Sequence, residues 1–268
     1  MKNFVRKLYI ALIFIFLYAP IATLIVLSFN ASKTRAKWGG FTIKWYIRLF
    51  QNEEIMQALG NTLVIALLSA LIATVIGTIA SIAMSGMKRK SRAILTGITN
   101  IPMLNADIVT GISLMLLFIS FGLKFGFGTI LLAHITFNIP YVILSVMPRM
   151  KNVNPSTYEA ALDLGATHLK AFFKVVFPDI LPGVTSGFLM AFTMSLDDFI
   201  ITHFTKGVGV DTLSTKIYTE VKKGIKPEMY ALSTIIFAAV IFLLLLVNYK
   251  PSPKKNGTAE HNKKSNSF

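Results

Sequence analysis

The sequence contains no cysteine among its 268 residues. Disulfides, thiolate metal sites, cysteine nucleophiles and iron–sulfur clusters are excluded together. Charge is also scarce, at 15% of residues, against about 25% in soluble domains. Acids are the scarcest charged class: 12 Asp and Glu stand against 27 Lys and Arg, for a formal net charge of +15. The G-x-x-x-x-G-K-[ST] phosphate loop is missing, so ATP hydrolysis by that machinery is not expected of this chain. What is abundant is apolar: 54% of residues are hydrophobic and the mean hydropathy is +0.63. That excludes disorder for most of the chain.

The apolar residues gather into six long segments, at Leu8–Phe29, Leu59–Ser85, Ile98–Phe121, Phe125–Met147, Ile180–Phe204 and Ala231–Tyr249. Each approaches the ~20 residues that cross a hydrocarbon core. They are far longer than the ~10 residues of a barrel strand. The expected fold is therefore an all-α integral membrane domain of six transmembrane helices over residues 1–249, followed by a polar, disordered tail over 250–268. The first segment follows Lys2, Arg6 and Lys7 but is too long for a signal-peptide core, and it reads as an uncleaved anchor.

Basic residues orient the spans. With both termini cytoplasmic, 16 of the 27 Lys and Arg residues fall inside and 11 outside. The dense Lys88-Arg89-Lys90-Ser-Arg92 cluster between two spans is the strongest element of that bias. Basic residues divided between two membrane faces do not form the single stripe of a nucleic-acid-binding surface.

Between the fourth and fifth segments lies Pro155-Ser-Thr-Tyr-Glu159-Ala-Ala-Leu-Asp-Leu-Gly165, continuing to Phe177-Pro178. Ser156 and Glu159 have capping-box spacing. Gly165 suits a left-handed helix stop. Thr167 then caps a second short helix with Leu169, Phe172, Phe173 and Val176 near one face, ended by Pro178. A helical hairpin at the inner surface suits both a docking knob and a loop resting on the membrane. The order Glu159-Ala160-Ala161, Gly165, Val175, Phe177-Pro178 resembles the EAA loop of ABC-importer permeases, with Val and Phe where that pattern usually has Ile and Leu. The resemblance implies a type I importer (MetI-like) fold. It also implies that Glu159, Ala160, Ala161 and Gly165 couple the chain to a separate ATPase that uses ATP and Mg, no cofactor being bound by this chain.

Spans two to six hold no internal Lys or Arg, yet they contain Asp107, Asp197 and Asp198. An ionisable side chain within the membrane costs at least about 2.5–3.5 kcal/mol and is a functional candidate by default. Three acids without a basic partner suggest a cationic cargo; acids at helix ends facing water fit the same residues. Pro102, Asn105 and Gly111 interrupt regular packing near Asp107, and Ser195, Thr193 and Thr202 add hydroxyls near the acidic pair. Ser195 beside two Asp, with no facing His or Lys, is a poor catalytic constellation. His134 and His203 lack partners at metal-ligand spacing.

Ser195-Leu-Asp197-Asp198-Phe, with Leu213-Ser-Thr-Lys-Ile-Tyr218 and Gly224-Ile-Lys-Pro-Glu-Met-Tyr-Ala231, resembles the spermidine/putrescine permeases over most of residues 1–249. That family implies import of a linear polycation past Asp107, Asp197, Asp198, Ser195, Trp45 and Tyr46. An aromatic belt at the interface is the other reading of Trp45 and Tyr46. The outer segment Thr212–Gly224 is expected to be a helix with Leu213, Ile217 and Val221 on one side. The implied partners are a second homologous permease, two ATPase copies, an extracytoplasmic polyamine-binding protein and the bilayer of the bacterial cytoplasmic membrane. An ABC importer for another cargo, such as a metal ion, is the alternative.

Overall fold

A computed structural model describes residues 2–33 and 36–248, so the expected tail at 250–268, together with Tyr249, lies outside the described residues. All described elements are helical apart from one isolated bridge between Asn30 and Phe41. The chain divides into two compact units. One comprises the residues up to Leu49 and from Lys226 onward; the other runs from Phe50 to Ile225.

In the first unit α1 (Lys2–Ser28) packs beside α12 (Pro227–Asn248), the helix of the sixth apolar segment. After α1 the chain makes a tight corner around Asn30, which is 2% exposed. Its Oδ1 accepts from the backbone N–H groups of Ser32 (3.0 Å) and Gly39 (2.8 Å), and its Nδ2 donates to the Lys37 carbonyl (3.0 Å). One side chain thus satisfies three backbone groups of a loop without regular pairing. Helix α2 (Lys44–Gln51) follows.

The second unit is built on three mutually packed helices: α3 (Glu53–Ser85), α6 (Phe127–Asn152) and α9 (Phe177–Asp197). Asn52 starts α3 by accepting from the Ile55 N–H at 3.2 Å. Its buried face is a seam of small residues that includes Ala58, Ala66, Ser69, Ala70, Ala73, Gly77 and Ser81, while Leu63, Leu67, Leu71, Val75 and Ile79 point outward. Large apolar side chains outside and small ones between helices is the arrangement a lipid solvent favours, because association there rests on close packing. Gly187 of α9 completes the contact: a Cβ there would stand 3.2 Å from the Val142 Cα.

Two expected spans are broken. The segment Ile98–Phe121 is not one helix but α4 (Arg89–Leu104) and α5 (Asp107–Ser120), which meet at 103°. Pro102 sits inside the last turn of α4, and Asn105 takes an extended conformation with ψ 153°. The segment Ile180–Phe204 likewise ends its helix at Asp197, turns through an extended Asp198 (ψ 123°), and restarts as α10 (Ile200–Thr205). Among the described residues four helical stretches are long and apolar enough to cross a membrane: 4–28, 53–85, 127–152 and 168–197. Counted as one broken span, the bent α4–α5 pair makes a fifth.

Pro178 does not end the preceding helix, contrary to the expectation from the sequence. Helix α7 (Pro155–Asp163) is followed by α8 (His168–Ala171), which runs through a π-helical turn at Phe172–Val176 straight into α9. The Phe177 N–H bonds to the Phe172 carbonyl, five residues back. One wide turn absorbs the N–H that proline lacks, and the helix continues.

Candidate functional site

Both breaks carry acids, and both lie together. Asp107 is the first residue of α5 and is exposed; Asp197 is the last residue of α9 and is also exposed. Gly111, one turn after Asp107, packs against Ile201, one turn after Asp197: a Cβ on Gly111 would stand 3.4 Å from the Ile201 Cα. The two interrupted helices therefore meet within a turn of both carboxylates. Irregular backbone at membrane depth is tolerated only where protein covers it or a water-filled cavity borders it. Transporters concentrate their binding groups at such discontinuous helices.

Asp198 behaves differently from its neighbour. Its carboxylate turns inward, with the side chain 9% exposed. Oδ1 accepts from the Ile201 N–H at 3.3 Å, and Oδ2 accepts from the Thr202 N–H at 2.7 Å and the Thr202 hydroxyl at 2.8 Å. It satisfies the free N–H groups at the start of α10, a role the short helix needs. Adjacent residues in a chain point apart, and here that divides the pair into one outward and one inward acid.

His134, on α6, joins this cluster. Its ring is 1% exposed. Nδ1 lies 2.5 Å from the Ser195 Oγ, Nε2 lies 2.8 Å from the Thr202 Oγ1, and Nε2 is 3.4 Å from Asp198 Oδ2. Ser195, 3% exposed, also meets Ser69 of α3 at 3.0 Å. Ser195 therefore does face a histidine, contrary to the expectation from the sequence. A histidine 61 residues earlier in the chain faces it, a distance no motif scan bridges. The only sequence signal was an imidazole in the middle of an otherwise apolar run. The Ser–His–Asp sequence of contacts has the outline of a hydrolase triad. It differs in accessibility: the serine and histidine are enclosed between helices. Thr193, by contrast, is exposed and spends its hydroxyl on the Leu189 carbonyl at 2.8 Å.

Trp45 and Tyr46 belong to the first unit. The indole is 4% exposed and donates from Nε1 to the Asn30 carbonyl at 2.7 Å. Arg48 lies over the same ring at 5.5 Å. The Tyr46 hydroxyl pairs with Ser28 Oγ at 2.7 Å, and its ring rests on Phe29 at 5.2 Å. Both aromatics bind the corner after α1 to α2.

In the loop between the fourth and fifth apolar segments, Asn154 rather than Ser156 caps α7, accepting from the Ser156 N–H at 3.0 Å. Pro155 pre-sets the first helical residue, so the cap falls one position before it. Glu159 is left exposed, as is Ala160, and Ala161 is half-buried. Gly165 does stop the helix in the left-handed region, at φ +83°, with Ala166 N–H bonding back to the Ala161 carbonyl at 3.1 Å. Thr167 caps α8 as expected, at 3.4 Å from the Lys170 N–H. The expected single apolar face is divided: Val176 is buried, whereas Leu169 and Phe173 stand 72% and 60% exposed, alongside Leu164 at 89%.

Helix α11 (Leu213–Lys223) is held at its start by Thr62 of α3, whose Oγ1 accepts from the Leu213 N–H at 2.7 Å, and by Ser214, which donates to the Asp198 carbonyl at 2.6 Å. Its buried face is Leu213, Thr215 and Glu220, not the expected Leu213, Ile217 and Val221; Val221 is 47% exposed.

Residues 73–250 match the family described as "Binding-protein-dependent transport system inner membrane component". The chain is 37% identical over 245 residues to the spermidine/putrescine transport system permease protein PotC of Haemophilus influenzae, covering 91% of this chain and 95% of that one. It is 41% identical over 235 residues to the putrescine transport system permease protein PotI of Escherichia coli K12, covering 85% and 83%. In fold it resembles a chain of a bacterial ABC transporter that imports the acidic polysaccharide alginate, with a TM-score of 0.70 at 19% identity over 92% of this chain and 93% of that one.

Proposed function

Since this chain belongs to the family of inner membrane components of binding-protein-dependent transport systems, and is a multi-pass transporter subunit rather than an enzyme, we propose that its cargo is a polyamine of the spermidine/putrescine kind. The observation that carries this reading is the meeting of two interrupted helices, α5 and α10, within a turn of the exposed carboxylates of Asp107 and Asp197. Ammonium groups are recognised by carboxylates through charge-assisted hydrogen bonds. The permease relatives named for spermidine and putrescine support the same cargo class. Ser195 and Asp198 belong to this pathway as the groups directly behind Asp197. Trp45 and Tyr46 serve the outer side by shaping the corner after α1, with the indole buried beneath Arg48.

The chain works with a second homologous permease, two copies of an ATPase that binds ATP and Mg, and an extracytoplasmic polyamine-binding protein. Six spans place both termini in the cytoplasm, the orientation that the Lys88–Arg92 cluster favours. Glu159, Ala160, Ala161 and Gly165 form the docking turn for the ATPase; exposed Leu164, Leu169 and Phe173 supply apolar surface there. Nucleotide-driven closure of the ATPase shifts the permease between two states because it binds them unequally.

The test is ATP-driven uptake of labelled putrescine and spermidine by the assembled transporter in proteoliposomes. Asp107→Asn and Asp197→Asn each lower uptake about tenfold or more, the scale of losing a charged hydrogen bond, while the chain still assembles. Unchanged uptake in both variants overturns the carboxylate pathway.

A further inference from the structure

We infer that His134 is a positioning residue for transport: it holds the break between α9 and α10 so that Asp197 alone is presented outward. This rests on the pathway reading above.

The hydrogen-bond directions lead to this. The Thr202 hydroxyl gives its proton to Asp198 Oδ2 at 2.8 Å, so its oxygen accepts from His134 Nε2–H. The other ring nitrogen, Nδ1, pairs with the Ser195 hydroxyl at 2.5 Å. Ser195 Oγ also lies 3.0 Å from the Ser69 hydroxyl, which in turn donates to the Ala66 carbonyl at 3.2 Å. The contacts run without a gap from Ser69 through Ser195, His134 and Thr202 to Asp198. Both ring nitrogens are engaged, which is the condition under which a buried polar network rigidifies a core.

The network joins four helices. Ser69 lies on α3, His134 on α6, Ser195 on the last turn of α9, and Thr202 on α10. Imidazole bonds therefore reach both sides of the interruption at Asp198–Phe199 from a third helix. Asp198 accepts from the N–H groups of Ile201 and Thr202 and from the Thr202 hydroxyl, with the imidazole Nε2 3.4 Å away. Its lone pairs are committed to protein donors, leaving Asp197 as the exposed acid of the pair. The backbone angles of the break set where that carboxylate stands, and the imidazole sets the angles.

The experiment is a double-mutant series in the complete transporter, reading ATP-driven putrescine uptake and recovery of the chain with its partner permease. His134→Leu is expected to lower uptake about tenfold, the scale of losing hydrogen bonds that end on a charged group. His134→Gln, which keeps one donor and one acceptor, restores most of it. In an Asp197→Asn background His134→Leu has no further effect, because the group it positions is already gone. Losses that multiply in that background overturn the inference while leaving the pathway reading intact. Normal uptake by Asp197→Asn overturns this inference, and normal uptake by Asp107→Asn as well overturns the pathway reading with it. Should His134→Leu fail to assemble, Thr202→Val removes the bridging hydroxyl at nearly constant volume and carries the same series: its loss must likewise vanish in the Asp197→Asn background, and multiplication there overturns the inference.

Discussion

Gly77 of α3 lies directly against Val142 of α6: a Cβ built on Gly77 would stand 2.7 Å from the Val142 Cβ. The neighbouring backbone is no more forgiving, with the Ile139 carbonyl 3.3 Å from the same point. A β-branched side chain facing a glycine is how two helices approach without a gap, and it leaves neither helix room to retreat because α9 packs against both. Gly77→Ala is expected to destabilise the detergent-solubilised chain by about 1–3 kcal/mol, the usual range for overpacking a filled core. Gly77→Ala with Val142→Ala restores most of that loss. Thermal denaturation monitored by circular dichroism measures both; a Gly77→Ala variant as stable as the parent would show that the contact relaxes at no cost.

Asn138 is fully buried on α6, one turn after His134, and neither atom of its amide has a hydrogen-bond partner. An unsatisfied buried amide costs about 1–3 kcal/mol. Asn138→Leu, of similar size, is therefore expected to raise the melting temperature of the solubilised protein. A lowered melting temperature would show that the amide is engaged in solution.

The Trp45 indole donates to the Asn30 carbonyl within the corner that follows α1. Trp45→Phe keeps the ring and removes the N–H, leaving that carbonyl without its side-chain donor. The expected loss is about 1 kcal/mol, felt locally. Limited trypsin digestion should cleave faster at Lys37, whose carbonyl is held by the Asn30 side chain. Equal cleavage rates would place the strength of the corner elsewhere, in the Phe29–Phe41 and Phe29–Tyr46 stacking.

Gly165 adopts φ +83° with nothing within 4 Å of a built Cβ. Space is therefore no obstacle, and only the backbone conformation resists a side chain. Gly165→Val is expected to disturb the loop by more than 1 kcal/mol, while Gly165→Asn, which tolerates the left-handed region, stays close to the parent. Co-purification of the ATPase with the permease reads the consequence: reduced for valine, retained for asparagine. Leu164→Asp should abolish co-purification without changing helix content, since Leu164 is 89% exposed.

Composition and hydrophobic runs by themselves determined that this is an all-helical membrane protein, because segments of that length and apolarity have few alternatives in water or lipid. The turn after α7 was legible too, through Gly165 and Thr167, since helix stops and caps act over only a few residues. Its start was misplaced by two positions, because Asn154 and Ser156 have similar capping chemistry and the rigid ring of Pro155 decided between them. Pro102 and Asn105 signalled irregularity, but a bend of 103° is set by what α5 packs against. The acids followed the same division. Asp107, Asp197 and Asp198 stood out as charges in apolar runs, yet their unequal roles were decided by tertiary contacts. Asp198 turns inward because His134, from a helix 64 residues earlier, meets it there. Local chemistry is written in neighbouring residues; the pairing of distant polar groups depends on which helices pack together, and small-residue seams such as that of Gly77 settle the packing.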